Sequence, residues 1–467
     1  MYARRISLVA ALLTYSFPNF AALYGAVQDA ELTQHSVRCT VTIEEVVTDY
    51  VPAGNGAGPL WCYGSTVIAA WGDDLFLSII ETGKDVPLLC NTRWQLWHRS
   101  AGDWRLAQYE PNYRQREPCP IAVAADGRVF LSVNPSTERP GTKYGPCRPE
   151  VLEFDGRNPA APFKTHWPEW TRGSYFADHS YRGFAADESA GELLLLNINA
   201  RTGAYFVSHC DADGDWRSGG TLTFPIRACY PQVALRDSAA HVLAIGDIVE
   251  PVEEWRKLKF DKLGRKWDYV FRRLFYSYTP DLTRTAFRAP IEIDSVEDTC
   301  GHIQNLDLHV DETGTSHLLY LKRPFQYAFI RDACFPGRPM TASLEYVTVK
   351  DGCVVSRRTV LETPQDGAGI EPSFARFHIM PDGSLLIFAA GTETEKGRKS
   401  FGNFILPVGA ARCVRPVRVR LQHPFRNFFT ATPRAGSSPS MTAHLFGIAG
   451  DSPNLRYAQI RISTDLN

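Results

Sequence analysis

Histidine, tyrosine and arginine gather in short segments that recur along this chain. The densest is His179-Ser180-Tyr181-Arg182; others carry Arg116 and Glu117, Tyr230 and Gln232, His302 and Asn305, and Glu371, Arg376 and His378, while Tyr63 opens the first. Histidine and tyrosine move protons near neutral pH once neighbours tune them, and arginine grips a carboxylate in a two-pronged fork. Together they suit β-elimination from a uronic-acid glycan. A cation neutralises the uronate, a base takes the proton at C5, and an acid protonates the departing glycosidic oxygen. His179 or His302 is cast as the base, Tyr230 or Tyr181 as the acid, and Arg182 with Arg116 as the carboxylate clamp. Glu117, Gln232, Asn305, Glu371, Arg376, His378 and Tyr63 are expected as further substrate contacts.

Two rival readings use the same segments. Hydrolysis by a pair of carboxylates could draw on Glu117, Asp178 and Glu371. A surface of aromatics and amides alone would bind glycan without cleaving it. The sequence holds no nucleophile elbow, phosphate loop, zinc-protease helix or Cys-x-x-Cys pair. Along one strand His302 and His309 would fall on opposite faces, which separates them as metal ligands. A structural or axial divalent metal is left open, and no other cofactor is expected.

The elements that must position these residues show as a repeat. A polar turn, often with Asp or Asp-Gly, leads into an apolar strand at Asp73, Asp126, Asp187, Asp237, Asp311 and Asp382, with a weaker copy at Thr442 that lacks the Asp. The mean period is about 62 residues, somewhat above the range usual for propeller blades. Seven β-rich units of this kind predict an all-β, seven-bladed β-propeller with four-stranded antiparallel blades and loop insertions. Each candidate segment precedes one of these strands, so it begins an innermost strand at one mouth of the central channel. Seven such starts would converge on one concave surface. An alternating stretch around Val37 to Val47 is expected to supply the outer strand of the last blade, which closes the ring and removes free sheet edges. Two insertions stand out: 157–178, with His166, Trp167, Trp170 and Tyr175, and 249–271, where Glu253 to Phe260 reads as a helix.

Bulk properties narrow the partners. Lys and Arg number 50 against 51 Asp and Glu, a net charge of −1, which offers no basis for nucleic acid or an anionic membrane. Arg4 and Arg5, the apolar run Leu8 to Leu13, and small residues near Ala22 and Ala26 read as an export signal over 1–26, too short to span a bilayer. Residues 27–467 then form a single propeller domain, secreted or periplasmic and expected as a monomer. Eleven cysteines include two pairs at the same spacing of 28, Cys62 with Cys90 and Cys119 with Cys147. Within-blade disulfides and small buried thiols are both open for them.

The export signal, the blade length and Asp-x-x-Gly-x-x-His at 311–317 resemble the BNR-repeat, sialidase-like propellers of secreted carbohydrate-active proteins. The Ser-x-Asp-x-Gly-x-x-Trp box of that group is absent, with only a degenerate form at Ser208 to Trp216. In site chemistry the chain resembles the propeller polysaccharide lyases that act on ulvan or rhamnose-glucuronate linkages. That resemblance implies His179, Tyr230 and Arg182 in the lyase roles. A polysaccharide lyase is therefore the first expectation, a glycoside hydrolase the second, and a non-catalytic glycan-binding propeller the third.

Overall fold

Leu193 to Leu196 is an unbroken apolar run, and a strand with such a sequence must be covered on both faces. In the computed structural model that cover comes from neighbouring sheets, as each of these leucines is at most 3% exposed. Residues 37–464 are described here, apart from 62–63, 180, 188, 266–267, 365–366, 409–414 and 451–452. The expected export signal, Tyr63 and Cys62 lie outside them.

Seven four-stranded antiparallel sheets stand in a ring. Their inner strands are Ile68–Trp71, Ile121–Val123, Arg182–Asp187, Ala228–Arg236, His302–Val310, Gly369–Ile379 and Phe425–Thr430. Each touches the next, and the seventh touches the first. The chain is therefore a seven-bladed β-propeller. Blade 7 takes Val37–Asp49 as its outer strand beside Asn454–Thr464, so the two ends of the propeller close the ring as expected. Glu44 holds that closing strand to the backbone N–H groups of Gln422 and His423 at 2.8 and 2.6 Å, and Glu45 pairs with Arg99 of blade 1 at 3.0 Å.

The recurring Asp has a local cause. Several copies form the turn between a blade's inner and second strands, where the side chain caps its own backbone. Asp126 Oδ1 accepts from the N–H of Arg128 (3.1 Å), Asp382 Oδ1 from Ser384 (2.9 Å), and Asp311 Oδ1 from Thr313 and Thr315 (2.8 and 2.9 Å). Gly127 and Gly383 sit at φ 93° and 79° in these turns, a region a side chain disfavours.

These turns lie at the end of the channel opposite the strand starts. The blade 7 loop of residues 431–441 crosses that end. Val123 and Ala186 donate backbone N–H to the carbonyls of Ala435 and Arg434, and Ala70 N–H to Ser437 Oγ. Arg434 reaches from this loop into the axis to pair with Asp307 (3.2 Å) and to donate to the Gly64 carbonyl (2.7 Å). This plug lies across the far end, away from Arg116, Glu117 and His179.

The insertion after blade 4's second strand carries the helix read from the sequence, α1 (Glu253–Leu263), between short paired strands at 248–249 and 269–270. Lys259, 2% exposed, pins it by ion pairs to Glu250 (2.6 Å) and Asp268 (2.7 Å), while Arg272 binds Glu250 from the sheet. A second helix, α2 (Ala328–Cys334), falls in a blade 5 loop where the sequence pattern gave no sign of one. Of the two readings open for these cysteines, the structure takes the buried thiol: Cys90, Cys119 and Cys147 are free and buried. Cys147 Sγ instead donates to the Ala177 carbonyl at 3.0 Å, and Cys119 Sγ reaches the Glu117 carbonyl at 3.8 Å.

Candidate active site

Adjacent blades bring equivalent segments side by side, so two consecutive residues before blade 2's inner strand meet two before blade 3's. Arg116 pairs with Asp178 at 3.4 Å, and Glu117 with His179 at 2.6 Å. The paired residues border a cleft of about 510 Å³ at the mouth, lined by Arg116, Glu138, Tyr144, Tyr175, Asp178, His179 and Arg227.

His179 is the group in this cleft best arranged to move a proton. Its Nδ1 faces the Glu117 carboxylate, which is 3% exposed and would be costly to bury alone. With the Nδ1 proton given to Glu117, Nε2 carries the free lone pair. The ring stacks on Trp61, centroids 5.2 Å apart and planes at 11°, and keeps 31% of its side chain exposed.

Asp178 is the second such group. It accepts from Arg116 Nη1 and from the backbone N–H of Gly145 at 3.3 Å, and both donors suit an anionic carboxylate. Gly145 also makes room for Glu138, since a Cβ there would come within 2.4 Å of Glu138 Cγ. Glu138, Gly145 and Asp178 all line the cleft. Arg116 gives its other arm to the Asn55 carbonyl at 3.3 Å, and Arg227 is paired with the buried Asp247. The thiols nearby are inert: burial, reinforced by Asp178, pushes Cys90 up to about 12, and burial raises Cys147 as well.

Beneath Trp61 lie Tyr181 and Tyr230, 6% and 9% exposed, their rings 4.9 Å apart. Tyr230 sits at a shift in strand register with φ 48°, a rare conformation for a side-chain-bearing residue. Asn305 Nδ2 holds the Tyr230 carbonyl at 2.6 Å. Burial raises the Tyr181 phenol far above its ordinary range, so it keeps its proton. His302 is separated from His179 by Trp61, Tyr230 and Phe271. Burial, followed by the charges of Arg323 and Arg272, brings His302 down to about 4, so it is neutral at pH 7.

Several expected substrate contacts are corrected by their burial. Arg182, 1% exposed, donates to the Pro118 carbonyl at 2.7 Å and cannot clamp a uronate. Arg376, also 1% exposed, donates to the carbonyls of Phe428 and Leu306. Gln232 serves the Leu306 carbonyl at 2.9 Å, and Asn305 serves Tyr230. All four stiffen the axis, where inner strands converge and their carbonyls need donors. His378 lies at the plugged end, with Nε2 on the Ser440 carbonyl at 2.7 Å. Glu371 is exposed at the mouth near Arg323, apart from the cleft. Sequence reasoning missed Glu138, Tyr144, Gly145 and Arg227, which lie in connections without periodicity; Tyr175 fell in a flagged insertion. Among the described residues no three His, Cys, Asp or Glu side chains converge as a metal site requires, so the axial ion finds no ligand set there.

No protein-family model matches the sequence, and no curated protein matches it. Solved structures show distant likenesses. An α-L-arabinofuranosidase from Fusarium graminearum is 10% identical over 73% of this chain and 92% of its own, with a TM-score of 0.40. A Trypanosoma rangeli sialidase is 11% identical over 73% and 52%, at 0.37. A puromycin-hydrolysing peptidase from Mycobacterium tuberculosis is 11% identical over 88% and 55%, at 0.46. Likenesses this distant say nothing of activity, and they lend the lyase resemblance no support.

Proposed function

We propose that this propeller is a glycoside hydrolase working at the blade 2–3 cleft. The observation that supports this is that two carboxylate residues, Asp178 and Glu138, line one open cleft whose lining guanidinium groups, Arg116 and Arg227, are already paired. Glycosidic hydrolysis needs one carboxyl to protonate the leaving oxygen and a second to attack or to activate water. Exposed Glu138 is assigned the proton donor, and Asp178, held by Arg116 and Gly145, the anionic partner. His179 handles the proton of the incoming water. The clamp expected for elimination is spent within the cleft: Arg182 is buried and Arg116 is paired.

Elimination stays the second reading because the Glu117–His179 dyad is built as a general base. Incubation with arabinan, galactan, pectin, ulvan and gum arabic separates the two. Hydrolysis yields reducing ends without the ultraviolet absorbance of an unsaturated uronate, and Asp178→Asn cuts the rate by about 10²–10⁴-fold. Absorbance that rises and vanishes in His179→Ala would replace hydrolysis with elimination. If neither product forms on any glycan, both readings fall.

A further inference from the structure

Two aromatic rings that line the cleft, Tyr144 and Tyr175, and a third in the adjoining insertion, Trp167, each carry a cation. Lys143 Nζ lies 5.4 Å from the Tyr144 ring centre, the Arg148 guanidinium 5.0 Å from Trp167, and that of Arg201 3.8 Å from Tyr175. Tyr144 and Tyr175 line the cleft itself, and Arg148 follows cleft-lining Pro146 by two residues. Tyr144 is 61% and Trp167 55% exposed, unusual for side chains that lose most by facing water.

Their cations differ from many that lie over rings elsewhere in the molecule, although exposed Arg288, 5.0 Å from the Tyr278 ring centre, likewise has no ion pair among the described residues. Elsewhere Arg93, Arg128, Arg273 and Arg418 lie over rings too, but each is paired with a carboxylate, on Glu81, Asp126, Glu292 and Glu393 respectively. Among the described residues Lys143, Arg148 and Arg201 are exposed and have no such ion pair. Half-buried Glu150 feels the charge of Arg148 without forming an ion pair with it. A ring offers a face on which a sugar stacks, and an unpaired cation beside it offers a site for negative charge.

We infer that this rim is a subsite platform that binds an anionic polysaccharide, extending the chain past the bond cut in the cleft. The inference rests on the cleft being a glycan site, but its test does not need cleavage. The ligand is a sugar chain bearing negative groups, whether uronate or sulfate.

Affinity electrophoresis of the full chain through polygalacturonate, dextran sulfate and neutral dextran tests it. Retardation is expected in one or both anionic gels and not in dextran; which anionic gel retards tells uronate from sulfate. Binding should weaken as salt shortens the Debye length from about 10 Å at 0.1 M to about 3 Å at 1 M. Lys143→Gln/Arg148→Gln/Arg201→Gln should lose about tenfold or more in affinity. Tyr144→Ala/Trp167→Ala, with every charge kept, should lose a similar factor. Retention of full binding by that aromatic variant would show plain ion exchange and overturn the platform. Equal retardation in dextran, or none in any gel, would overturn it as well. Retardation that depends on rings and cations, with no glycan cleaved, upholds the platform and removes the hydrolase reading alone.

Discussion

His378 offers a quantitative test of how the plugged end of the channel is held. Its ring is 3% exposed, with Nε2–H donating to the Ser440 carbonyl in the loop that crosses the channel. Burial brings its pKa down to about 4 from an ordinary 6.5, the carbonyl opposing that only in part. The neutral ring therefore fits the fold and the charged ring does not. Above pH 6.5 both folded and unfolded chains hold it neutral, and its contribution is fully present. As pH falls from about 6.5 to about 4 the unfolded chain takes up a proton that the folded chain refuses, so stability is lost across that window. At about 1.4 kcal/mol per pH unit the loss approaches about 3 kcal/mol by pH 4. His378→Gln removes the titration and weakens one hydrogen bond, a cost of about 1 kcal/mol at neutral pH. Urea unfolding at a series of pH values should give crossing curves, the variant weaker at pH 7.5 and stronger at pH 4. His241, also near 4 through burial, titrates in both proteins and cancels in the difference, whereas His444, brought down to about 4 by burial and then by the charges of His378 and Arg99, is released from one of these in the variant, which adds to the variant's gain at low pH. A difference that stays flat from pH 7.5 to 4 would refute the reasoning.

Three further perturbations address the site and its supports. Gly145→Ala places a methyl group 2.4 Å from Glu138 Cγ, so turnover should fall by at least about tenfold while the unfolding midpoint holds within about 1 kcal/mol; unchanged turnover would detach Glu138 from the chemistry. Asp307→Asn strips the buried Arg434 of its 3.2 Å partner and should cost about 3–5 kcal/mol in denaturant unfolding. Lys259→Met leaves Glu250 and Asp268 without the cation that pins α1, so limited trypsin digestion should cut at Arg256 and Lys257 sooner than in the parent protein.

The residues that announce the fold and those that form the site obey different rules, and this is why the first were legible and the second only half so. Asp126, Asp311 and Asp382 report the blades because an Asx turn is local: the side chain bonds backbone two to four residues ahead, wherever the blade sits. The closing strand at Val37–Asp49 and helix α1 likewise show as patterns within a few residues. At the mouth the useful information is relational. Glu117 and His179 were both legible as strand starts, yet nothing in the sequence says that they meet, because their contact depends on blades 2 and 3 being stacked in register. The inner strands then break their own alternation. Register shifts fall at 229–232, 305–307 and 372–374, so counting by twos does not tell which of Gln232, Asn305 or Arg376 faces substrate and which faces the axis. A polar residue in an inner strand has two uses, to touch a ligand or to satisfy carbonyls where seven strands converge, and the sequence spells both alike. Arg182 shows the consequence. It stands three residues from His179 and looks like its partner, but one turn of the strand into the ring gives its guanidinium to Pro118. The elimination reading depended on that cation being free, so its commitment to a carbonyl moves the balance to the carboxylates that line the cleft, Asp178 and Glu138.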